Sequence, residues 1–157
     1  MINISVTGKT IDPVEQQLIS ECISAGKIVV AAMGNAPDFG HDAVLYPAAF
    51  PGVIAVAATN ESDGVPGFSV RGSHVWIAAP GVSIRTTMSN GDYGWVTGTS
   101  YATPLVSAAC AILSALKPGI NAIQTRDLLR ALTSTGGSTF DNAAGWGRLD
   151  LSRIGSV

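Results

Sequence analysis

The amino-acid sequence predicts an α/β fold, in which a mainly parallel sheet is covered by helices on both faces. Residues 2–32 read as strand, helix and strand, the βαβ unit that joins neighbouring parallel strands. The apolar runs 53–58 and 75–79 are continuous rather than alternating, as expected of strands buried on both faces. The chain has 157 residues and no internal repeat, so we expect residues 1–157 to form one domain.

The first βαβ unit begins with a short strand over residues 2–6. Asp12 followed by Pro13 predicts a helix start, with Asp12 as N-cap and Pro13 in the first helical position. Gly26 predicts the end of this helix, and the apolar run 28–32 predicts the second strand. Apolar residues at helical spacing predict the buried face of the helix: Val14, Leu18, Ile19, Cys22 and Ile23.

The second half of the chain continues with strands over 53–58 and 75–79 and a hairpin arm over 82–87. A long helix is predicted to open at Gly98-Thr99-Ser100 and to end before Pro118-Gly119. Its predicted inward residues are Ala102, Val106, Ala109, Cys110 and Leu113. A further helix is predicted over about 121–132, with Leu128, Leu129 and Leu132 inward.

Charge is scarce in this sequence. Charged residues make up 13%, about half of what a soluble domain carries, so we expect either a sheet buried on both faces or a surface that more protein covers. The net charge is −2 and no Lys/Arg run exists, which argues against nucleic acid and anionic membranes as partners. The apolar stretches are expected to be too short to span a bilayer. Met1 is followed by a strand pattern rather than a signal peptide, which leaves the compartment open.

The two cysteines are predicted to be free, buried thiols. Cys22 and Cys110 lie in apolar helical patterns without a CxxC spacing or a neighbouring histidine. The sequence therefore predicts no metal site and no cofactor.

The segment 98–104, Gly-Thr-Ser-Tyr-Ala-Thr-Pro, is the best candidate for chemistry. A serine in the first turn of a helix lies beside unpaired backbone N–H groups at the positive end of the helix dipole, where developing negative charge is stabilised. The residues alone leave two interpretations open. Ser100 is a nucleophile, or Thr99 or Ser100 serves only as the cap of the helix.

This segment resembles the nucleophile motif of the subtilase family, Gly-Thr-Ser-Met-Ala-x-Pro. Four further segments resemble subtilase motifs in the same chain order: the strand 28–35 that ends in Asn, the Tyr-Pro-Ala stretch 46–56, the Phe-Ser to Ala-Pro-Gly stretch 68–82, and the closing Gly-Trp-Gly-Arg-Leu-Asp of 145–150. The resemblance covers nearly the whole chain. It implies the C-terminal portion of a subtilisin-like peptidase domain, a partial three-layer αβα sandwich.

The resemblance implies a serine endopeptidase that hydrolyses peptide bonds through a serine nucleophile. Ser100 would be that nucleophile, and the Asn35 side chain would donate to the oxyanion together with the Ser100 backbone N–H. Residues 2–6 resemble the family's strand that lines the substrate pocket, although Val6-Thr7 replaces the usual Leu-Gly. The residues implied to bind peptide or protein substrate are Ser5, Val6, Thr7, Ala32, Met33, Gly34 and Thr99.

The family's aspartate and histidine motifs are absent from these residues. His41 lies in a polar loop and His74 precedes a strand, and neither stands in the base motif. We therefore expect this chain alone to be inactive and to need the upstream half of the domain as its partner. Where relatives place cation-site carboxylates, this chain has His74-Val75-Trp76, so any calcium would belong to the full-length protein.

A second function class stays open from the sequence. The low charged fraction and the incomplete sheet are also typical of a non-catalytic pseudo-protease or a self-associating interaction module. We expect a homo-oligomer of the chain in that case.

Overall fold

Four parallel strands form the central sheet, in the order in which they occur in the sequence. They are β1 (Ile2–Ile4), β2 (Val29–Ala32), β3 (Ile54–Thr59) and β4 (Val75–Pro80). The structure is a computed structural model that describes residues 1–156, with side chains described through residue 155. In the sheet register Ile4 pairs with Ala31 and Ala32 pairs with Val56. All four strands therefore end at the same edge of the sheet.

The remaining elements connect or cover this sheet. The helices are α1 (Pro13–Ser24), the short α2 (Ala36–Phe39), α3 (Thr99–Leu116) and α4 (Ala122–Ala131), followed by a 3-10 turn over Leu151–Ser156. Strands β5 (Ile84–Thr87) and β6 (Tyr93–Val96) form a separate antiparallel ribbon that leads into α3. The predicted α/β class with a parallel sheet is confirmed.

Local sequence signals set the starts of the helices. Asp12 caps α1, since its Oδ1 accepts from the backbone N–H of Val14 at 2.8 Å, and Pro13 occupies the first helical position as predicted. At α4, the Asn121 side chain accepts from the Gln124 N–H at 2.9 Å, and the Gln124 side chain accepts in return from the Asn121 N–H. This capping box satisfies two backbone donors that the helix itself leaves unpaired.

The sheet separates two apolar cores because successive strand residues point to opposite faces. Val30, Val56 and Ile77 face α3 and α4. Met33, Ala31 and Ala55 face the side on which α1 lies. The predicted inward residues of α3 are all fully buried, and burial of a side chain of the size of Leu113 contributes roughly 1.5–3 kcal/mol. The structure is thus three-layered, with helices on both faces.

The buried face predicted for α1 is partly wrong. Ile19 is buried, but Val14 and Leu18 are 65% and 55% exposed, and Cys22 is only half-buried. Helix α1 packs on β2 along a narrow stripe that includes Ile19 and leaves Val14 and Leu18 at the surface. Two elements were also missed, α2 and β6, because a four-residue helix and a short exposed strand carry no periodic apolar signal.

Helix α3 corrects the expectation that no apolar stretch approaches membrane length. Its 18 residues have a mean hydropathy of 1.4 and include no charged side chain. One face packs against the sheet, however, so α3 belongs to the core of the fold. A core helix of this kind passes the same length and composition test as a membrane span.

The two thiols are predicted to differ in reactivity. Burial raises the pKa of Cys110 to about 12, so this thiol stays protonated at pH 8, whereas Cys22 is half-buried. Titration of the native protein with an aromatic disulfide at pH 8 should modify one thiol rapidly, and Cys22→Ser should abolish that rapid phase. A rapid phase that persists in Cys22→Ser would contradict the buried placement of Cys110.

Candidate active site

Ser100 is the second residue of α3, at the edge of the sheet where the parallel strands end. Gly98 is the N-cap of this helix, and no side chain caps it. The alternative in which Thr99 or Ser100 serves as the cap is therefore wrong. The backbone N–H of Ser100 lies in the first turn, where it has no acceptor within the helix.

The start of α3 is held against the sheet by a close backbone approach at Gly81. The Gly98 N–H donates to the Gly81 carbonyl at 2.8 Å. A Cβ added at Gly81 would lie 2.6 Å from the Ala58 Cβ and 2.9 Å from the Gly98 carbonyl oxygen. Only glycine allows this approach, which ties the start of α3 to the end of β4.

Asn35 and Thr99 form the main polar contact of the site. The Asn35 Oδ1 accepts from the backbone N–H of Thr99 and from its hydroxyl, both at 3.2 Å. Two donors on one atom identify it as the amide oxygen, so the amide nitrogen must point elsewhere. A Cβ added at Gly98 would lie 3.4 Å from the Asn35 Nδ2, which places this nitrogen on the Gly98 side. Among the described residues, Nδ2 has no hydrogen-bond acceptor and is free to donate.

Thr99 also joins this site to β2. The backbone N–H of Gly34 donates to the Thr99 hydroxyl at 3.2 Å, and Thr99 is fully buried. One side chain therefore fixes the loop after β2, the Asn35 amide and the first turn of α3. Asn35 itself has an extended backbone with φ −113°.

Ser100 is paired with Ser5, 95 residues earlier in the chain. The Ser100 hydroxyl donates to the Ser5 carbonyl at 3.1 Å, and the Ser5 hydroxyl donates to the Ser100 carbonyl at 3.1 Å. Asn3 extends the connection, since its Nδ2 donates to the Ser5 Oγ at 3.1 Å and its Oδ1 accepts from Ser107 at 2.8 Å. These contacts attach edge strand β1 to α3.

The structure distributes the other residues predicted for substrate binding between surface and core. Val6 is 70% exposed beyond the end of β1, and Thr7 is half-buried. Ala32 and Gly34 are buried at the end of β2. The Met33 side chain is fully buried in the α1-side core, so only its backbone could face a ligand. Thr99 is buried beneath Asn35, and its hydroxyl is hydrogen-bonded to both Gly34 and Asn35.

No acid–base partner accompanies Ser100 among the described residues. The imidazoles of His41 and His74 make no hydrogen bond to it, and the acceptor of its hydroxyl proton is a backbone carbonyl. His74 lies at the other end of β4, where burial lowers its pKa. The described residues also contain no cluster of metal-ligating side chains.

The sequence indicated Ser100 and Asn35 but not the contacts that hold them. Ser5 and Thr99, which the sequence predicts to bind substrate, each make hydrogen bonds within the site. Their part in substrate binding stays a prediction. The Ser5–Ser100 pair joins residues that are distant in the chain, and no local pattern signals such a contact. Thr99 stands next to Ser100 in the sequence, but its hydrogen bonds depend on the fold, which brings Gly34 and Asn35 beside it.

Comparison with known proteins places these residues in a described family. Residues 1–147 match the family model described as the subtilase family. Subtilisin from Bacillus pumilus is 38% identical over 141 residues, which is 89% of this chain and 51% of the relative. Among solved structures, sphericase superposes with a TM-score of 0.86 at 28% identity, and the self-cleaved protease domain of PatA with 0.82 at 30% identity. They cover 96% of this chain and 56% and 58% of the respective structures. The chain thus spans about half the length of these relatives.

Removal of the Thr99 hydroxyl is expected to destabilise the protein. Thr99→Val keeps the shape but leaves the buried N–H of Gly34 without its acceptor, which costs roughly 1–3 kcal/mol in the free energy of unfolding. Urea unfolding followed by tryptophan fluorescence measures the effect.

Thr103→Val is the matched control. Thr103 is also buried in α3, but its hydroxyl donates only to the Thr99 carbonyl one turn earlier, so the loss should stay below about 1 kcal/mol. Equal losses of unfolding free energy in Thr99→Val and Thr103→Val would show that the contacts of Thr99 to Gly34 and Asn35 do not stabilise the protein.

Proposed function

This chain belongs to the subtilase family, and we propose on that basis that it supplies the nucleophile and the oxyanion donor of a serine endopeptidase. The observation that supports the proposal most directly is the Asn35–Thr99 contact, which leaves the Asn35 amide nitrogen free beside the start of α3. The substrate is a peptide or protein in extended conformation. It would add as a strand beside the exposed backbone that follows β1.

Ser100 acts as the nucleophile. Its oxygen attacks the carbonyl carbon of the scissile peptide bond while a base takes the hydroxyl proton. The tetrahedral intermediate then expels the amine, which receives the proton from the protonated base. The acyl group that remains on Ser100 is released by water in the reverse sequence of proton transfers.

Asn35 and the N-terminus of α3 stabilise the negative charge on the carbonyl oxygen. The Asn35 Nδ2–H lies beside Gly98, the N-cap of α3, and the Ser100 N–H lies in the first turn of the same helix. Neither donor has an acceptor there among the described residues. Both are fixed before substrate arrives, because Thr99 holds the amide and the helix holds the N–H. Such preorganised donors stabilise the transition state more than the ground state.

The base must come from outside the described residues. The Ser5 carbonyl accepts a hydrogen bond from the Ser100 hydroxyl, but a backbone carbonyl is too weak a base to remove the proton. In subtilases the aspartate and the histidine precede the serine in the chain, so the half of the domain that bears them supplies the base and the acid that orients it. This chain by itself should therefore not turn over substrate.

The edge of the sheet at β1 offers a place for that half. β1 pairs only with β2, so one side of its backbone is unpaired among the described strands. Apolar side chains lie uncovered on both helical layers: Val14 and Leu18 on α1, and Ile112 and Leu116 on α3. An unpaired strand edge and exposed apolar side chains favour association with more protein.

The same exposed residues favour one alternative, self-association of this chain as a non-catalytic module. The upstream half of the domain and a second copy of this chain would both bind at the β1 edge. Binding of one therefore excludes binding of the other. Competition between them distinguishes the catalytic proposal from the alternative.

Covalent labelling with a fluorophosphonate tests the nucleophile. Labelling should be absent for this chain alone, should appear when the half bearing the aspartate and the histidine is present, and should vanish in Ser100→Ala. Loss of the catalytic residues costs about 2 × 10⁶ in turnover in subtilisin itself, a member of this family. Labelling of the mixture that survives in Ser100→Ala would exclude Ser100 as the nucleophile.

Asn35→Leu tests the oxyanion donor in the same mixture. It should lower kcat by about 10²–10³ with little change in KM, an effect of the size known for the oxyanion asparagine of subtilisin. Asn90→Leu serves as a control, since the Asn90 side chain bonds to Asp92 in the turn between β5 and β6. If Asn35→Leu changed kcat no more than Asn90→Leu does, the proposed role of Asn35 would be wrong.

Sedimentation velocity tests the association surface. At tens of micromolar, this chain alone should form a dimer or a larger species, and equimolar upstream half should convert it to a one-to-one complex. Leu18→Glu with Ile112→Glu should weaken both forms, because charge is introduced where apolar area would be buried. The proposal would be contradicted if the chain stayed monomeric at high concentration and did not bind the upstream half.

A further inference from the structure

A cavity of about 490 Å³ lies at the end of the sheet opposite to Ser100. Val53 and Val75, which line it, stand at the amino ends of β3 and β4, whereas Ser100 and Asn35 lie where the parallel strands end. Its volume falls in the range of small-molecule sites. We propose that this cavity binds a small organic carboxylate with an aromatic or branched apolar body. The inference does not depend on the proposed peptidase activity.

Aromatic side chains form the apolar part of the cavity. Phe140 and Trp146 meet edge to face at a centroid distance of 5.2 Å, and Trp76 lies 6.2 Å from Trp146 in a similar arrangement. Phe140 is 40% exposed and leaves the cavity open to solvent on its side. Three rings around one opening favour a ligand with an apolar body that can pack against them.

Arg126 supplies the charge. Its guanidinium lies 3.9 Å above the Trp76 ring, and the Trp76 indole N–H donates to the Arg126 backbone carbonyl at 3.3 Å, so the two residues fix each other. Among residues 1–155, no carboxylate lies within salt-bridge distance of Arg126. Burial lowers the pKa of Arg126, and the charge of the neighbouring Asp127 carboxylate raises it without forming a salt bridge. A half-buried guanidinium that no carboxylate pairs with, on an aromatic floor, can bind an anion.

The residues that line the cavity also hold polar atoms without partners. The Arg126 Nε, the Trp146 Nε1 and the His74 Nε2 are buried and have no hydrogen bond among the described residues. The first two are donors only, so they need an acceptor. An unpaired buried donor is unfavourable, and two such donors belong to residues that line this cavity.

The ionisable groups of the cavity favour an anion over a cation. The lining contains Arg126 and His74 but no Asp or Glu. Burial lowers the pKa of His74, so its imidazole is neutral at pH 7 and Arg126 is the cation of the site. A carboxylate would satisfy the guanidinium in a bidentate pair, while its apolar body would occupy the space between the rings.

Isothermal titration of the protein with phenylacetate tests the proposal, with phenylacetamide and acetate as comparison ligands. Phenylacetate should bind with a Kd on the order of 1 mM or lower, given the affinity that ten heavy atoms can supply. Phenylacetamide lacks the charge and acetate lacks the ring, so each should bind at least about tenfold more weakly. Equal affinity for all three, or no saturable binding of phenylacetate at 20 mM, would overturn the proposal.

Arg126→Met should weaken phenylacetate binding at least about tenfold, because it removes the charge and keeps an unbranched side chain over Trp76. Arg85→Met is the matched control, since it removes the same charge from above Tyr93 on the separate ribbon β5–β6, and its binding should stay within twofold. Thermal unfolding of both variants checks that they fold.

Phe140→Ala provides a second variant at the open rim, where truncation leaves the core intact, and it should weaken binding roughly fivefold. Binding that survives both Arg126→Met and Phe140→Ala would place the ligand elsewhere. Nuclear magnetic resonance with 4-fluorophenylacetate, displaced by unlabelled phenylacetate, locates the ligand through contacts to the tryptophan rings.

Discussion

The hydrogen bonds of Thr99 are the contact on which the candidate site depends. Its buried side chain accepts from Gly34 and donates to Asn35, while its backbone N–H donates to the same Asn35 oxygen. The loop after β2 and the first turn of α3 are therefore fixed relative to each other. Because the amide oxygen of Asn35 is used, its nitrogen is the part that can meet a ligand. Thr99 thus determines which part of the Asn35 amide is available.

The rest of the fold brings these two segments to one edge. Parallel strands end on the same side, and α3 begins there because Gly81 allows its N-terminus to approach β4 closely. The long apolar helix then packs its whole buried face on the sheet, which anchors the position of Ser100. The Ser5–Ser100 pair completes the arrangement by attaching the edge strand to the helix. Ser100 is therefore held both from the sheet and from the edge strand.

The low charge of the sequence has two physical sources. Strands β2, β3 and most of β4 are buried on both faces and need no polar residues. In addition, α1 and α3 expose apolar side chains at positions where charged residues are common in other proteins. Val14 and Leu18 follow the helical pattern of a buried face, but they are 65% and 55% exposed. Their exposure explains why the predicted face of α1 was only partly right.

The sequence by itself determined the class of the fold, the strands of the sheet, the caps of α1 and the inward face of α3, because these depend on local patterns of apolar and capping residues. It also pointed to Ser100 and Asn35, through motifs that are contiguous in the chain. Only the tertiary structure decided which groups these two residues contact: Ser5 is 95 positions from Ser100, and Thr99 is 64 positions from Asn35. The same holds for the cavity around Arg126, whose rings come from β4 and from the tail of the chain. Hydrogen bonds and cavities between distant segments depend on how the layers pack, and packing leaves no periodic trace in the sequence.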